Sequence, residues 1–174
     1  VQAAVAENMA AGAQQTQFMT NAIAHLEQAL VGARDPGAEL TLGRLDVRMN
    51  RLDKGIETLR GFLFDNPGYP EAVMLLAEAL ERSGQIDEAI TVLRMASRPG
   101  AQSDAQVALA GLYERADRWK DAAAMWGTLA KSGTDPSYRM QQASALMNAG
   151  DTAGGRDVLA AIAKDRPRDT AALY

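Results

Sequence analysis

Residues 70–96 read PEAVMLLAEALERSGQIDEAITVLRMA, and this stretch decides the fold. Its first half places apolar residues from Val73 to Leu80 on one stripe, at the spacing of an amphipathic helix. Gly84 follows, and glycine accepts the positive φ at which helices commonly end. A second apolar stripe then runs from Ala89, with Asp87 as the candidate N-cap. The stretch therefore predicts a helical hairpin.

The same pattern recurs along the whole chain. Its most regular mark is a pair of small residues 12 positions apart, and successive pairs are 33 or 34 positions apart. The pairs are Ala10 and Ala22, Gly43 and Gly55, Ala77 and Ala89, Ala110 and Ala122, and Ala143 and Gly155. A period of this length is the signature of a solenoid, and small residues at two fixed phases suit helices whose backbones approach closely. The prediction is an all-α fold, an α-solenoid of stacked antiparallel helix pairs.

This period divides residues 1–174, taken as a single repeat domain, into successive units. The predicted repeats are a degenerate one at 3–35, then 36–69, 70–102, 103–135 and 136–169, with 170–174 opening a further repeat. A chain that stops five residues into a repeat predicts a piece of a longer array. The first unit has Gly12 inside its first helix and Gln17 at its turn, so it is either a hairpin or one long helix. Prolines stand near each repeat end, at 36, 67, 99, 136 and 167.

The turn position, the fifteenth of each clear repeat, carries residue types that tolerate a left-handed backbone. It is occupied by Asn50, Gly84, Asp117 and Gly150. We therefore expect positive φ at all four positions.

Composition limits the classes of function. The 174 residues carry a formal net charge of −4, which disfavours a sequence-independent nucleic-acid binder. Cysteine is absent and His25 is the only histidine, so we predict no metal site, no cofactor and no catalytic residues. No apolar run is long enough to predict membrane insertion. Arginine outnumbers lysine by 14 to 4, which suggests a bacterial source, but cytoplasm and periplasm or cell envelope are not distinguished.

The repeats resemble those of the tetratricopeptide-repeat family, with its small residues at positions 8 and 20 and its large ones at 7, 11 and 24. The repeat at 103–135 carries this pattern as Leu109, Ala110, Tyr113, Ala122 and Trp126. Asp46 at position 11 and Gln142 at position 7 depart from it. The resemblance implies a right-handed superhelix whose first helices line a concave face. It also implies a non-enzymatic scaffold that binds a peptide or partner protein on that face.

In that family geometry, positions 2, 5, 9, 12 and 13 of the first helix face the groove. The predicted partner-binding residues are Leu40, Arg44, Arg48, Met74, Glu78, Arg82, Val107, Glu114, Met140, Ser144 and Met147. Position 5 is apolar in all four clear repeats, which suits an apolar peptide or an amphipathic helix, although packing between neighbouring first helices explains it equally well.

The arginines at position 13, Arg48, Arg82 and Arg115, could hold acidic groups of a ligand. We favour a structural role for them, with Asp53, Asp87 and Asp121 nearby as ion-pair partners. Trp119 and Trp126 lie on one helical face and are read as packing residues.

Two alternatives to a free-standing scaffold remain open. The chain could be the regulatory or docking arm of a larger enzyme or assembly, or it could self-associate through exposed ends of the array.

Overall fold

The computed structural model describes residues 2–97, 103–132 and 135–165. These residues form nine α-helices and no strand. The helices are α1 (Gln2–Leu30), α2 (Pro36–Arg48), α3 (Leu52–Asp65), α4 (Pro70–Arg82), α5 (Ile86–Ala96), α6 (Ser103–Arg115), α7 (Trp119–Ser132), α8 (Ser137–Asn148) and α9 (Thr152–Asp165). The expectations for Pro99, Pro167 and the start of a further repeat at 170–174 lie outside the described residues. The all-α class predicted from the period is confirmed.

The chain divides into two compact units, residues 1–89 and 90–174. In the first unit, α2 packs on α3 and on α4, and α3 packs on α4. In the second, α6 packs on α7, α7 on α8, and α8 on α9.

The first helix settles the alternative left open for residues 3–35. Helix α1 runs without interruption from Gln2 to Leu30, so this segment is one long helix and not a hairpin. Neither Gly12 nor Gln17 interrupts it, and both lie in regular helix. The helix packs against α2 and buries Ile23 to 2% exposure.

Helix starts follow the local chemistry of the chain. Pro36 and Pro70 occupy the first positions of α2 and α4, where the missing N–H of proline has no helical partner to lose. Asp35 caps α2, because its carboxylate accepts from Gly37 N at 2.8 Å and Ala38 N at 3.2 Å. The assignment of Asp87 as an N-cap is wrong. Helix α5 begins at Ile86, so Asp87 lies in its first turn, where a negative charge complements the helix dipole.

All four predicted turn residues have a left-handed backbone. The φ angle is 59° at Asn50, 81° at Gly84, 56° at Asp117 and 88° at Gly150. Asparagine and aspartate tolerate this region better than other residues with a side chain, and glycine enters it without steric cost. The prediction is confirmed at each position.

In the clear repeats, the small residues of a pair lie where the two helices of a hairpin touch, whereas Ala10 and Ala22 both lie within the single helix α1. A Cβ at Gly43 would stand 2.8 Å from Leu59 Cγ, and one at Gly55 would stand 2.9 Å from Val47 Cγ2. In the α6–α7 hairpin, Ala110 and Ala122 are fully buried. The predicted stripe of α4 is buried as well, with Val73, Leu76, Ala77 and Leu80 at most 6% exposed. Large side chains of one helix therefore fill the space that small residues leave on the other.

Candidate functional site

In the first unit, the predicted groove residues come from α2 and α4, which pack side by side. The two apolar residues at position 5 differ in burial. Leu40 is 8% exposed and belongs to the core, whereas Met74 is 36% exposed. The packing interpretation therefore fits Leu40, and Met74 leaves an apolar surface open to solvent.

Two of the predicted groove arginines of this unit, Arg44 and Arg82, are engaged by residues of a neighbouring helix or turn. Arg44 forms an ion pair with Glu71 of α4. Arg82 Nη1 donates to the carbonyl oxygen of Val47 at 2.9 Å and to Glu78 Oε1 at 3.1 Å, and its Nη2 donates to Asn50 Oδ1 at 2.9 Å. These bonds join α4 to the end of α2, which supports a structural role for Arg82. Arg48 is exposed at the end of α2.

In the second unit, the corresponding residues come from α6 and α8. Val107 is half-buried, Met140 is 37% exposed, and Ser144 is exposed. Asp121, expected to pair with Arg115, is bound by Arg118, whose Nε and Nη2 both lie 2.8 Å from Asp121 Oδ2.

The residue at position 12 of a repeat contacts the second helix of the same hairpin. Glu114 Oε1 accepts a hydrogen bond from Trp126 Nε1 at 2.7 Å. Met147 Cγ lies 2.7 Å from the place where Gly155 would carry a Cβ, so the side chain occupies the gap between α8 and α9. The buried Val47 faces Gly55 in the same way. The small residue at position 20 is the sequence feature from which this contact with the residue at position 12 could have been predicted.

Trp126 is a packing residue, as predicted from its place in the helix. It is 5% exposed, and its ring stacks on Tyr138 of α8 with centroids 5.8 Å apart. Trp119 differs, because it lines an open cavity of about 300 Å³ together with Asp117, Arg118, Lys120, Asp121, Asn148 and Ala149. Sequence reasoning missed this cavity.

Asp46 is a charged residue buried in the core, with 1% of its surface exposed. Burial raises the pKa of its carboxyl group, and the charge of Arg51 opposes that rise without cancelling it. Arg51 Nε lies 3.0 Å from Asp46 Oδ1 but is not aligned as a hydrogen bond, so charge alone joins the two. Arg51 also donates to Glu27 of α1, and together with Lys54 it lowers the pKa of Glu27.

Among the described residues, the pKa of Asp135 is also shifted. The backbone N–H of Ser137 donates to Asp135 Oδ1 at 2.8 Å, and this bond at the start of α8 lowers the pKa of Asp135. Within residues 2–97, 103–132 and 135–165, no group of three or more His, Cys, Asp or Glu side chains could hold a metal ion. No helix in the same ranges has the length and apolar character needed to span a bilayer.

The family model described as Tetratricopeptide repeat matches residues 40–104. The helix pairs, the left-handed turns and the buried small residues all agree with it. Residues 40–104 are therefore tetratricopeptide repeats. No curated protein sequence matches it.

Solved structures of tetratricopeptide-repeat proteins are similar to this chain in fold. TTC0263, a thermophilic protein of Thermus thermophilus, is 20% identical over 86% of this chain and 84% of its own, with a TM-score of 0.53. YrrB, described as having an unusual peptide-binding site, is 18% identical over 86% and 78%, with a TM-score of 0.59. MamA AMB-1 is 18% identical over 83% and 87%, with a TM-score of 0.63. At these identities the likeness shows the tetratricopeptide-repeat fold.

Proposed function

We propose that this protein is a non-enzymatic scaffold that binds a peptide or partner protein along the first helices of its repeats. The observation that carries the proposal is the exposure of Met74 on α4 and Met140 on α8. Both stand at position 5 of their repeats, and each keeps more than a third of its surface open to solvent. Methionine adapts its shape to apolar partners and is frequent at binding surfaces of this kind.

The surroundings of these methionines agree with a peptide ligand. Glu78 lies one turn beyond Met74 and is half exposed, and Ser144 lies one turn beyond Met140. An apolar anchor beside exposed polar groups is the composition of most peptide-binding surfaces, where the anchors supply affinity and the polar rim supplies orientation. The peptide-binding site in the description of YrrB supports the same kind of ligand for this chain.

The test is the double substitution Met74→Asp with Met140→Asp. Each change places a charge where an apolar contact is required, so we expect capture of partners from the native lysate, measured by mass spectrometry, to fall to background. Circular dichroism should remain helical, because both side chains are partly exposed already. Met95→Asp is the matched control, since Met95 is 62% exposed on α5, the second helix of its pair. A folded double variant that retains the wild-type partners would overturn the proposal.

Self-association, the alternative that the sequence leaves open, has its own measurement. Light scattering at high protein concentration tests it, and a strict monomer would rule it out.

A further inference from the structure

The left-handed turns after α2, α4, α6 and α8 share one pattern of backbone hydrogen bonds. After α2, the N–H groups of Met49, Asn50 and Arg51 donate to the carbonyl oxygens of Leu45, Val47 and Asp46. After α6, those of Ala116, Asp117 and Arg118 donate to Leu112, Glu114 and Tyr113, with distances that agree within 0.1 Å. Because the backbones of the turns after α2 and α6 are alike, any difference in the groups that surround them comes from side chains.

Beside the first turn lies the guanidinium group of Arg82, the position 13 residue of the next repeat. It donates to the Val47 carbonyl oxygen and to Asn50 Oδ1, both at 2.9 Å. A guanidinium group suits this place, because its parallel N–H groups reach a carbonyl and a side-chain oxygen together.

Beside the second turn, the position 13 residue of the next repeat is Asn148. Its side chain is several bonds shorter than that of arginine, so it cannot extend a donor group to the turn in the same way. The cavity of about 300 Å³ lies here, with Asp117 of the turn and Asn148 on its wall. The protein thus has a preformed turn of the kind that Arg82 occupies elsewhere, and open space in place of the guanidinium group.

The wall carries two carboxylates, Asp117 and Asp121, and two cations, Arg118 and Lys120, and Asp117 is the carboxylate that belongs to the turn itself. Arg118 is held by Asp121 and lies over the ring of Tyr113, 5.0 Å from its centroid, so these contacts already compensate its charge. Asp117 presents a carboxylate where the first turn has the neutral amide of Asn50, and charge-assisted hydrogen bonds are the stronger kind. The indole of Trp119 adds an aromatic surface on which a guanidinium group can stack. Lys120, the remaining cation of the wall, is exposed.

We propose that this cavity binds the guanidinium group of an arginine side chain supplied by a partner peptide. The guanidinium donates to the Asp117 carboxylate and to the carbonyl oxygen of Glu114, as Arg82 does to Asn50 and Val47. No residue on the wall of this cavity is a methionine of the proposed groove, so its test does not depend on them.

The experiment is an NMR titration of the isotope-labelled chain with the blocked tripeptide acetyl-Gly-Arg-Gly-amide. We expect saturable shifts at the amide groups of Asp117, Trp119 and Asn148. The same tripeptide with citrulline has a similar shape without the charge and should produce at most a tenth of the binding, since a charged hydrogen bond and its neutral counterpart differ by about tenfold or more in affinity. Free L-arginine is a third probe. Tighter binding of free arginine than of the blocked peptide would assign the same site to a small guanidino compound and overturn the peptide assignment.

Three variants make the result decisive. Asn148→Arg places a guanidinium group of the protein itself in the cavity, so it should abolish binding of the peptide and raise the melting temperature. Asn148→Ala should bind the peptide as the wild type does. Asp117→Asn removes the charge but keeps the turn, because Asn50 adopts the same backbone, and should weaken binding about tenfold. Equal shifts with the citrulline peptide, or undiminished binding by Asn148→Arg and Asp117→Asn, would overturn the proposal. Binding of inorganic phosphate at these residues, with none of the arginine peptide, would also overturn it and indicate an anion site at the start of α7.

Discussion

The α2–α3 and α6–α7 hairpins have the same backbone plan but different polar interiors. Each has an arginine just after its turn, Arg51 in one and Arg118 in the other. Opposite that arginine, at position 11, the first hairpin has the buried carboxylate of Asp46 and the second has Tyr113, which is 7% exposed. Arg51, whose side chain is 31% exposed, is therefore held by the charge of a buried carboxylate, and Arg118, which is 41% exposed, lies over an aromatic ring.

The comparison shows which interactions are needed to bury Asp46, the residue that departs from the family pattern at position 11. Tyr113 needs no charged partner in order to be buried, because most of its surface is apolar. Asp46 does need one, since an isolated buried carboxylate is strongly unfavourable. Helix α1 supplies the rest of the arrangement, because its Glu27 accepts from both Arg51 and Lys54. The departure at position 11 is thus connected to the long first helix, which stands where a hairpin would otherwise be.

The largest expected effect separates the two arginines. Arg51→Ala leaves Asp46 buried without a cation and should lower the free energy of unfolding by about 3 kcal/mol. Arg118→Ala removes a partly exposed ion pair and a cation–π contact, and should cost about 1 kcal/mol or less. Urea denaturation followed by circular dichroism measures both. Asp46→Asn in the Arg51→Ala background should recover part of the loss, because the buried charge is gone. Equal costs for the two arginine variants would remove the distinction between the hairpins.

A smaller effect concerns how closely the helices approach. Gly55→Ala would place a methyl group 2.9 Å from Val47 Cγ2 and 3.3 Å from Val47 N, and overpacking of this kind should lower stability by about 1 kcal/mol. Gly61→Ala is the matched control on the same helix, because nothing lies within 4 Å of the added carbon. It should raise stability by up to about 1 kcal/mol through helix propensity alone. Thermal unfolding of both variants checks the pair, and a stabilising Gly55→Ala would show that Val47 moves aside without cost.

The smallest effect is a dependence on pH. The pKa of Asp46 is raised in the folded protein, so the folded state takes up this proton at a higher pH than the unfolded chain. Its contribution to stability is fully present below the unfolded pKa and is lost as pH rises through the folded pKa. The pKa of Glu27 is lowered, so its contribution is present above the unfolded pKa and is lost as pH falls through the folded one.

Denaturation of Asp46→Asn and Glu27→Gln between about pH 3 and pH 7 tests these signs. Acidification should stabilise the wild type relative to Asp46→Asn and destabilise it relative to Glu27→Gln. Parallel profiles for the two variants would contradict the opposite shifts.

Most of the fold could be predicted because its signals are local. A residue type that tolerates positive φ marks each turn, and the 12-residue spacing marks where the helices of a hairpin touch. The continuity of α1 could not be predicted in this way, since the signals of that segment fitted a hairpin and a single helix equally. Of the candidate site, Met74, Met140 and Met147 are each more than a third exposed, and Leu40 belongs to the core. Glu114 and Met147 also contact the second helix of their own hairpins.

The sequence by itself determined the helical hairpins, the four left-handed turns and the small-residue contacts, because each depends on residues a few turns apart in one chain segment. Only the tertiary structure decided that Arg82 occupies the turn after α2 and that Asn148 leaves the equivalent place open. It also decided that Asp46 is buried against an arginine shared with α1. Those facts depend on how far a side chain reaches across the junction between helices, and this distance is set by packing and not by spacing along the chain.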